Sequence, residues 1–177
     1  MNAHNKNIAN QYNIICTSFD NSRFRIWNNV KKFLSYKKEG ETLLDCGCGN
    51  GKNMIYAKTL GYNCEGCDIS DNLLYLCNNK GLNVFYQDVL NLKTEKKYNK
   101  IISIAVLHHL ETIHEQIYAI KNLCNYLCED GKLLVSFWSM EKSFNELNII
   151  NNKKKMAAIV NGMMIISVPI ARSMFSN

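Results

Sequence analysis

At 177 residues with 47% apolar side chains, the chain has the size of one domain and enough apolar material to bury a core. A formal net charge of +6 suits an anionic partner without naming one, because lysines also merely solvate a surface. Met1 to Asn10 is polar and lacks an apolar signal core, so the eight cysteines are expected to remain thiols in a reducing compartment, cytoplasmic or nuclear.

Ile8, Tyr12 and Ile15 recur at helical spacing, as do Ile26, Val30, Phe33 and Leu34, which predicts two helices joined by a loop over 16–23. Strand-like runs follow at 42–46, 62–67, 83–87, 100–106 and 132–138. Between them lie helical patterns at 52–60, 71–79 and 112–128, the last with Ile113, Ile117, Ile120 and Leu127 on one stripe and Glu129-Asp130-Gly131 as its stop. Alternation of this kind predicts an α/β domain over 1–140: a mostly parallel sheet with helices on both faces. Residues 141–177 form an atypical tail, and its stretch 156–171 is apolar. That stretch is shorter than the ~20 residues of a membrane span and is interrupted by Asn161, Gly162, Ser167 and Pro169. A packed sixth strand or a degenerate tail is expected there rather than a membrane segment.

The run Leu43-Leu44-Asp45-Cys46-Gly47-Cys48-Gly49-Asn50-Gly51-Lys52 reads as a strand, a glycine turn and a helix start, with Asp68 ending the next strand about 20 residues on. Lys52 stands where a dinucleotide fingerprint has its third glycine. That departure disfavours NAD and favours S-adenosylmethionine (SAM), which has no pyrophosphate to seat. The expected cofactor contacts are Asp45, Gly47, Cys48, Gly49, Asn50 and Gly51 in the turn, Asp68 and Ile69 after the second strand, Asp88 and Val89 after the third, and Ala105 after the fourth. Asp68 is placed on the ribose hydroxyls and Asp88 near the adenine. Cys46-x-Cys48 and Cys64-x2-Cys67 suggest zinc only superficially, since the first pair lies inside the glycine turn and the spacing is unlike a zinc ribbon; no metal is expected.

Tyr12-Asn13-Ile14, then Phe19, Ser22-Arg23 and Trp27, together with Ile102-Ser103-Ile104-Ala105-Val106-Leu107-His108-His109 and Phe137-Trp138-Ser139-Met140-Glu141, resemble segments of the class I SAM-dependent methyltransferases that finish the wobble uridine of tRNA. The resemblance runs from about Tyr12 to Glu141. It implies a Rossmann-like fold, and methylation of the carboxylate of 5-carboxymethyluridine in the tRNA anticodon loop. It also implies, for some members, a small zinc-binding activator subunit. Asn28 replaces the proline that members carry after the tryptophan. Residues 142–177 match nothing in the family, so its C-terminal hairpin is expected to be missing or degenerate.

An ionised carboxylate needs no general base, so the task reduces to positioning and desolvation. Arg23 is the candidate for holding the acceptor carboxylate or a phosphate. His108 and His109 are candidate donors or orienters, and Trp138 a stacking platform for a base. Two other readings stay open: methylation of a small molecule or protein, and a truncated, non-catalytic SAM-binding module.

Overall fold

The computed structural model describes residues 1–22, 25–136, 156–160 and 163–167. In chain order these are α1 (Ala3–Ser22), α2 (Asn28–Ser35), β1 (Thr42–Cys46), α3 (Lys52–Thr59), β2 (Asn63–Asp68), α4 (Asp71–Asn79), β3 (Val84–Tyr86), β4 (Tyr98–Ser103), α5 (Ile113–Asn125), β5 (Leu127–Ser136), β6 (Met156–Val160) and β7 (Met163–Ser167). One sheet runs β3-β2-β1-β4-β5-β7-β6. β1 to β5 are parallel, and β7 and β6 are antiparallel to their neighbours. The direction of winding reverses between β1 and β4, and the crevice at their carboxyl ends is the natural ligand site of such a sheet.

Strand residues alternate between two cores, as a sheet covered on both faces demands. Leu44, Ile101, Leu133 and Val135 pack on one face with Ala119, Ile120 and Leu123 of α5. Leu43, Ile102 and Leu134 pack on the other with Val30, Phe33 and Leu34 of α2 and Met54 and Ala57 of α3. Burying each Leu or Ile fully contributes about 1.5–3 kcal/mol. The cysteine pairs divide along the same line. Cys46 and Cys67 belong to the first core, with their sulfurs 3.6 Å apart, while Cys48 and Cys64 belong to the second, so the four thiols do not converge on one point.

Three expectations need correction. The predicted loop at 16–23 is helix through Ser22. The Ser18 and Ser22 hydroxyls bond back to the carbonyls of Ile15 and Phe19, and Asp20 is held by Asn50 and Lys80, so tertiary ties keep a polar segment helical. The long helix stops at Asn125, not at Glu129-Asp130-Gly131. Those three residues instead fall inside β5, where Asp130 takes φ 58° and the ladder to β4 shifts register. The hairpin expected to be missing or degenerate is present. β7 pairs with β5 from Lys132↔Ser167 to Ser136↔Met163, and β6 pairs with β7 from Met156↔Ser167 to Val160↔Met163. Asn161-Gly162, read as an interruption, is the dipeptide preferred between two strands of a tight hairpin. The expected domain boundary at 140 lies outside the described residues. No described helix is long and apolar enough to cross a membrane.

Candidate active site

The glycine turn leaves β1 and enters α3. Gly47 and Gly51 take φ 79° and 76°, and neither has room for a side chain: a Cβ at Gly47 would stand 2.2 Å from Val106 Cγ2, and one at Gly51 2.2 Å from Leu82 Cδ1. β2 holds the turn in place. The Gly47 and Cys48 amides donate to the Cys67 carbonyl at 2.7 and 2.9 Å, and the Gly49 amide donates to Asp68 Oδ2 at 2.8 Å.

A cavity of about 620 Å³ opens above this turn, a volume typical of a cofactor site. Of the expected cofactor contacts, Gly47, Cys48, Gly49 and Asn50 line it from the turn, Asp68 and Ile69 from β2, Asp88 and Val89 from beyond β3, and Ala105 from beyond β4. Asp45 and Gly51 do not line it. Gly51 packs behind the turn, while Asp45 is fully buried at the end of β1.

The carboxylates differ in environment. Asp68 accepts from the amides of Gly49 and Ser70, yet burial raises its pKa above the usual carboxylate value. Asp88 is buried and paired twice, accepting from Asn5 Nδ2 at 2.8 Å and from the Leu90 amide at 3.0 Å. Asp45 has no well-formed hydrogen bond to either oxygen among the described residues, although the Asn53 amide approaches closely enough to oppose the shift. Burial pushes its pKa up to about 8, and the neighbouring Asp68 charge adds to the rise.

Helix α1 roofs the cavity with Asn5, Ile8, Tyr12, Phe19 and Ser22. It is tied to each loop beneath it. Besides Asn5 on Asp88, Asn13 Oδ1 accepts from Ser70 Oγ at 2.7 Å and from the Asn72 amide at 3.1 Å. Asp20 accepts from Asn50 at 3.0 Å and Lys80 at 2.6 Å, and the Lys80 bond holds its pKa below the usual value. The Tyr12 hydroxyl meets His109 Nε2 at 2.9 Å, and His4 Nε2 donates to the His109 carbonyl at 2.8 Å.

His108 and His109 form a single 3₁₀ turn after β4 and both line the cavity, with ring centroids 4.1 Å apart. Burial lowers both pKa values; that of His109 falls to about 4, with His108 and His4 contributing. The pair is therefore neutral at pH 7 and can offer a ligand hydrogen bonds but no positive charge. Just before it, Ala105 takes φ 58°, a left-handed conformation rare outside glycine, and its amide donates to buried Ser136 Oγ at 2.6 Å.

Arg23 and Trp138 lie outside the described residues. Sequence reasoning passed over Arg25, two positions on, which lines the cavity as do Lys52, Trp27 and Asn53. The repeated basic pattern Arg23-Phe24-Arg25 was the available signal for Arg25. Asn5 was missed because a polar N-terminal segment has no periodicity to mark it.

The methyltransferase-domain family profile matches residues 19–165. The chain is 36% identical over 143 residues to an Arabidopsis thaliana tRNA (carboxymethyluridine(34)-5-O)-methyltransferase, covering 80% of this chain and 35% of that protein. It is 33% identical to the Saccharomyces cerevisiae protein of the same description, covering 74% of this chain and 47% of that one. The chain thus spans between a third and a half of these relatives. Among solved structures, Synechocystis magnesium protoporphyrin IX methyltransferase with bound SAM superposes with a TM-score of 0.75 at 15% identity, over 95% of this chain and 100% of that one. A TehB-like SAM-dependent methyltransferase from Corynebacterium glutamicum gives 0.67 at 18%, over 94% and 98%. The chain belongs to the methyltransferase-domain family, and its sheet has the fold of the class I SAM-dependent enzymes.

Proposed function

We propose that the chain is the catalytic core of an enzyme that transfers the methyl group of SAM to the carboxylate of 5-carboxymethyluridine at the wobble position of tRNA, forming the methyl ester. The observation that carries this reading is the identity of 36% and 33% to two relatives bearing that description, over 80% and 74% of this chain. The cavity fits the donor. Gly47 and Gly49 offer bare backbone for close approach, and Asp68 and Asp88 supply acceptors beyond the ends of adjacent strands.

SAM, when bound, supplies an electrophilic methyl on a sulfonium. The chain's own residues do the rest. Asp68 accepts from the ribose hydroxyls, Asp88 and Val89 flank the adenine, and amides of the turn and of the start of α3 face the methionine carboxylate. The acceptor arrives ionised, so neutral histidines suffice: His108 and His109 orient it by donating a single N–H, and Tyr12 fixes the His109 ring. Arg25, with Arg23 beside it in sequence, holds the acceptor carboxylate or its phosphate, and Trp138 stacks on a base of the anticodon loop. A small zinc-binding activator is the expected protein partner, covering an edge of the sheet, where β3 is exposed at Tyr86. The place of action is that of the tRNA, cytoplasm or nucleus.

Nucleoside mass spectrometry of tRNA carrying 5-carboxymethyluridine, after incubation with SAM and the chain with and without such an activator, tests the reading. Conversion to the methyl ester is expected. No conversion in either mixture, with SAM binding intact, would contradict it.

A further inference from the structure

Between Arg25 and Lys38 the chain carries five cations and no acid, and the fold lays most of this segment along one face of the sheet as α2. α2 packs Val30, Phe33 and Leu34 inward. Its exposed positions, Asn28, Lys31, Lys32 and Ser35, recur at three- and four-residue spacing and form one solvent stripe, about 12 Å long at 1.5 Å per residue. Tyr36, 71% exposed, and Lys38 follow directly beyond the helix.

The stripe starts at the cavity and is held in a fixed direction. Trp27 and Val30, at the start of α2, line the cavity together with Arg25. At the other end Lys100, buried in β4, donates to the Phe33 carbonyl at 3.1 Å, to the Tyr36 carbonyl and to the Tyr62 hydroxyl at 2.6 Å. That hydroxyl in turn donates to the Leu34 carbonyl at 2.8 Å. The last carbonyls of the helix are thereby satisfied from below, and its solvent face is a rail leading away from the site.

Lysines elsewhere are committed to acids: Lys80 pairs with Asp20 and Lys96 with Glu65, both at 2.6 Å. Among the described residues no acid pairs with Lys31, Lys32 or Lys38. Lys32 in the last turn suits the helix dipole, but that effect gives no reason for Lys31, Lys38 or an exposed tyrosine. The opposite face of the sheet, where α5 packs, has the reverse sign. Residues 111–131 carry Glu111, Glu115, Glu129 and Asp130 against the single lysine Lys121. An anionic polymer reaching the cavity is drawn over α2 and repelled from α5.

We propose that the solvent face of α2 is the docking surface for the base-paired stem next to the acceptor nucleotide, the anticodon stem of the tRNA. Lys31, Lys32 and Lys38 hold its phosphates, with Asn28, Ser35 and Tyr36 as neutral donors. The proposal rests on the tRNA reading above and says where the rest of that substrate lies. Phosphate contacts carry no base information, so the surface serves any stem sequence, and its contribution falls with salt.

Fluorescence anisotropy of a labelled RNA hairpin with an anticodon stem and loop, titrated with the chain at several salt concentrations, tests this. Each lost phosphate contact flattens the salt dependence. The double variant Lys31→Ala/Lys32→Ala should therefore bind more weakly at low salt and lose roughly tenfold less affinity than the wild type between about 50 and 200 mM salt. Its SAM affinity and melting temperature should not move, Lys121→Ala should behave as wild type, and exchanging every base pair of the stem should change nothing. A wild-type salt response in the double variant would overturn the proposal, as would an equal loss in Lys121→Ala or an affinity that follows stem sequence. Methyl transfer to tRNA lost in the double variant with hairpin binding unchanged would assign α2 to a protein partner and overturn it too. A hairpin bound with the expected salt response by a chain that never forms the ester would leave the docking surface standing and remove the carboxylate reading.

Discussion

Asp68 does two jobs, and a substitution separates them. It closes the glycine turn through Gly49 and caps the entry to α4 through Ser70, and its position suits the ribose hydroxyls. Asp68→Ala should weaken SAM binding by about 1.5–3 kcal/mol, the usual cost of losing a charged hydrogen-bonding partner, as read by calorimetry on a variant that melts cooperatively. Unchanged affinity would remove Asp68 from the cofactor site.

The histidines set a different pH window from the one their unperturbed pKa suggests. Burial holds His109 near 4, so methyl transfer should be flat between about pH 6 and 8 whether or not a histidine acts as base, and the discriminating range is pH 4 to 6. A carboxylate acceptor predicts a single-turnover rate in that range that falls only as the substrate carboxylate is protonated. In Arg25→Ala the rate should drop far more than SAM affinity. The same burial affects stability. His109 binds its proton more weakly folded than unfolded, so stability is full above about 6.5 and declines as pH falls toward 4. Melting temperatures at pH 7 and 5 should differ less in His109→Gln than in the wild type.

At the scale of elements, α1 is built as a tethered roof. It has few buried apolar residues of its own, and polar bonds to the loops after β2, β3 and β4 and to the glycine turn hold it down. Asn5→Ala leaves one oxygen of buried Asp88 without its partner, so it should cost about 1–3 kcal/mol and speed hydrogen exchange along α1. Exchange that is unchanged would show that Asn5 is not a tie. This construction is also why α1 was only half legible in the sequence. Periodicity reports apolar stripes, and beyond Ile15 this helix is held by Asp20 rather than by a stripe. The helices that were read well carry their own signals. α4 starts where Ser70 caps it, and α5 starts at the reciprocal Thr112–Glu115 capping box. The turn at residues 129–131 misled because a Gly-containing triplet ends helices more often than it bulges strands.

For the whole molecule, the parallel half of the sheet was legible because helical patterns of the right length separate its apolar runs everywhere but between β3 and β4. The antiparallel half was not, because its two strands read as one apolar stretch and their register depends on β5, far away in sequence. Deleting 156–167 should uncover the edge of β5 and remove the wholly buried Ile166 from the core, giving a chain that aggregates on purification. A soluble monomer of unchanged melting temperature would show the hairpin to be dispensable. At the cavity, the positions of Asp68, Asp88 and the turn from Gly47 to Asn50 were legible from spacing, while Asp45 and Gly51 fall behind its wall. Asn5 and Arg25 were not, because α1 and the segment after it reach the cavity only through tertiary packing.

The proposed transfer of a methyl group from SAM to a carboxylate on tRNA leaves an ester, whose lability to alkali sets it apart from other methyl groups. Tritium-labelled methyl transferred by the chain, with an activator if one is needed, to tRNA bearing 5-carboxymethyluridine should be released as volatile methanol on brief mild alkali, as an ester requires. Label that stays on the tRNA through that treatment would mean an N-, C- or ether-linked methyl group and would contradict methylation of a carboxylate.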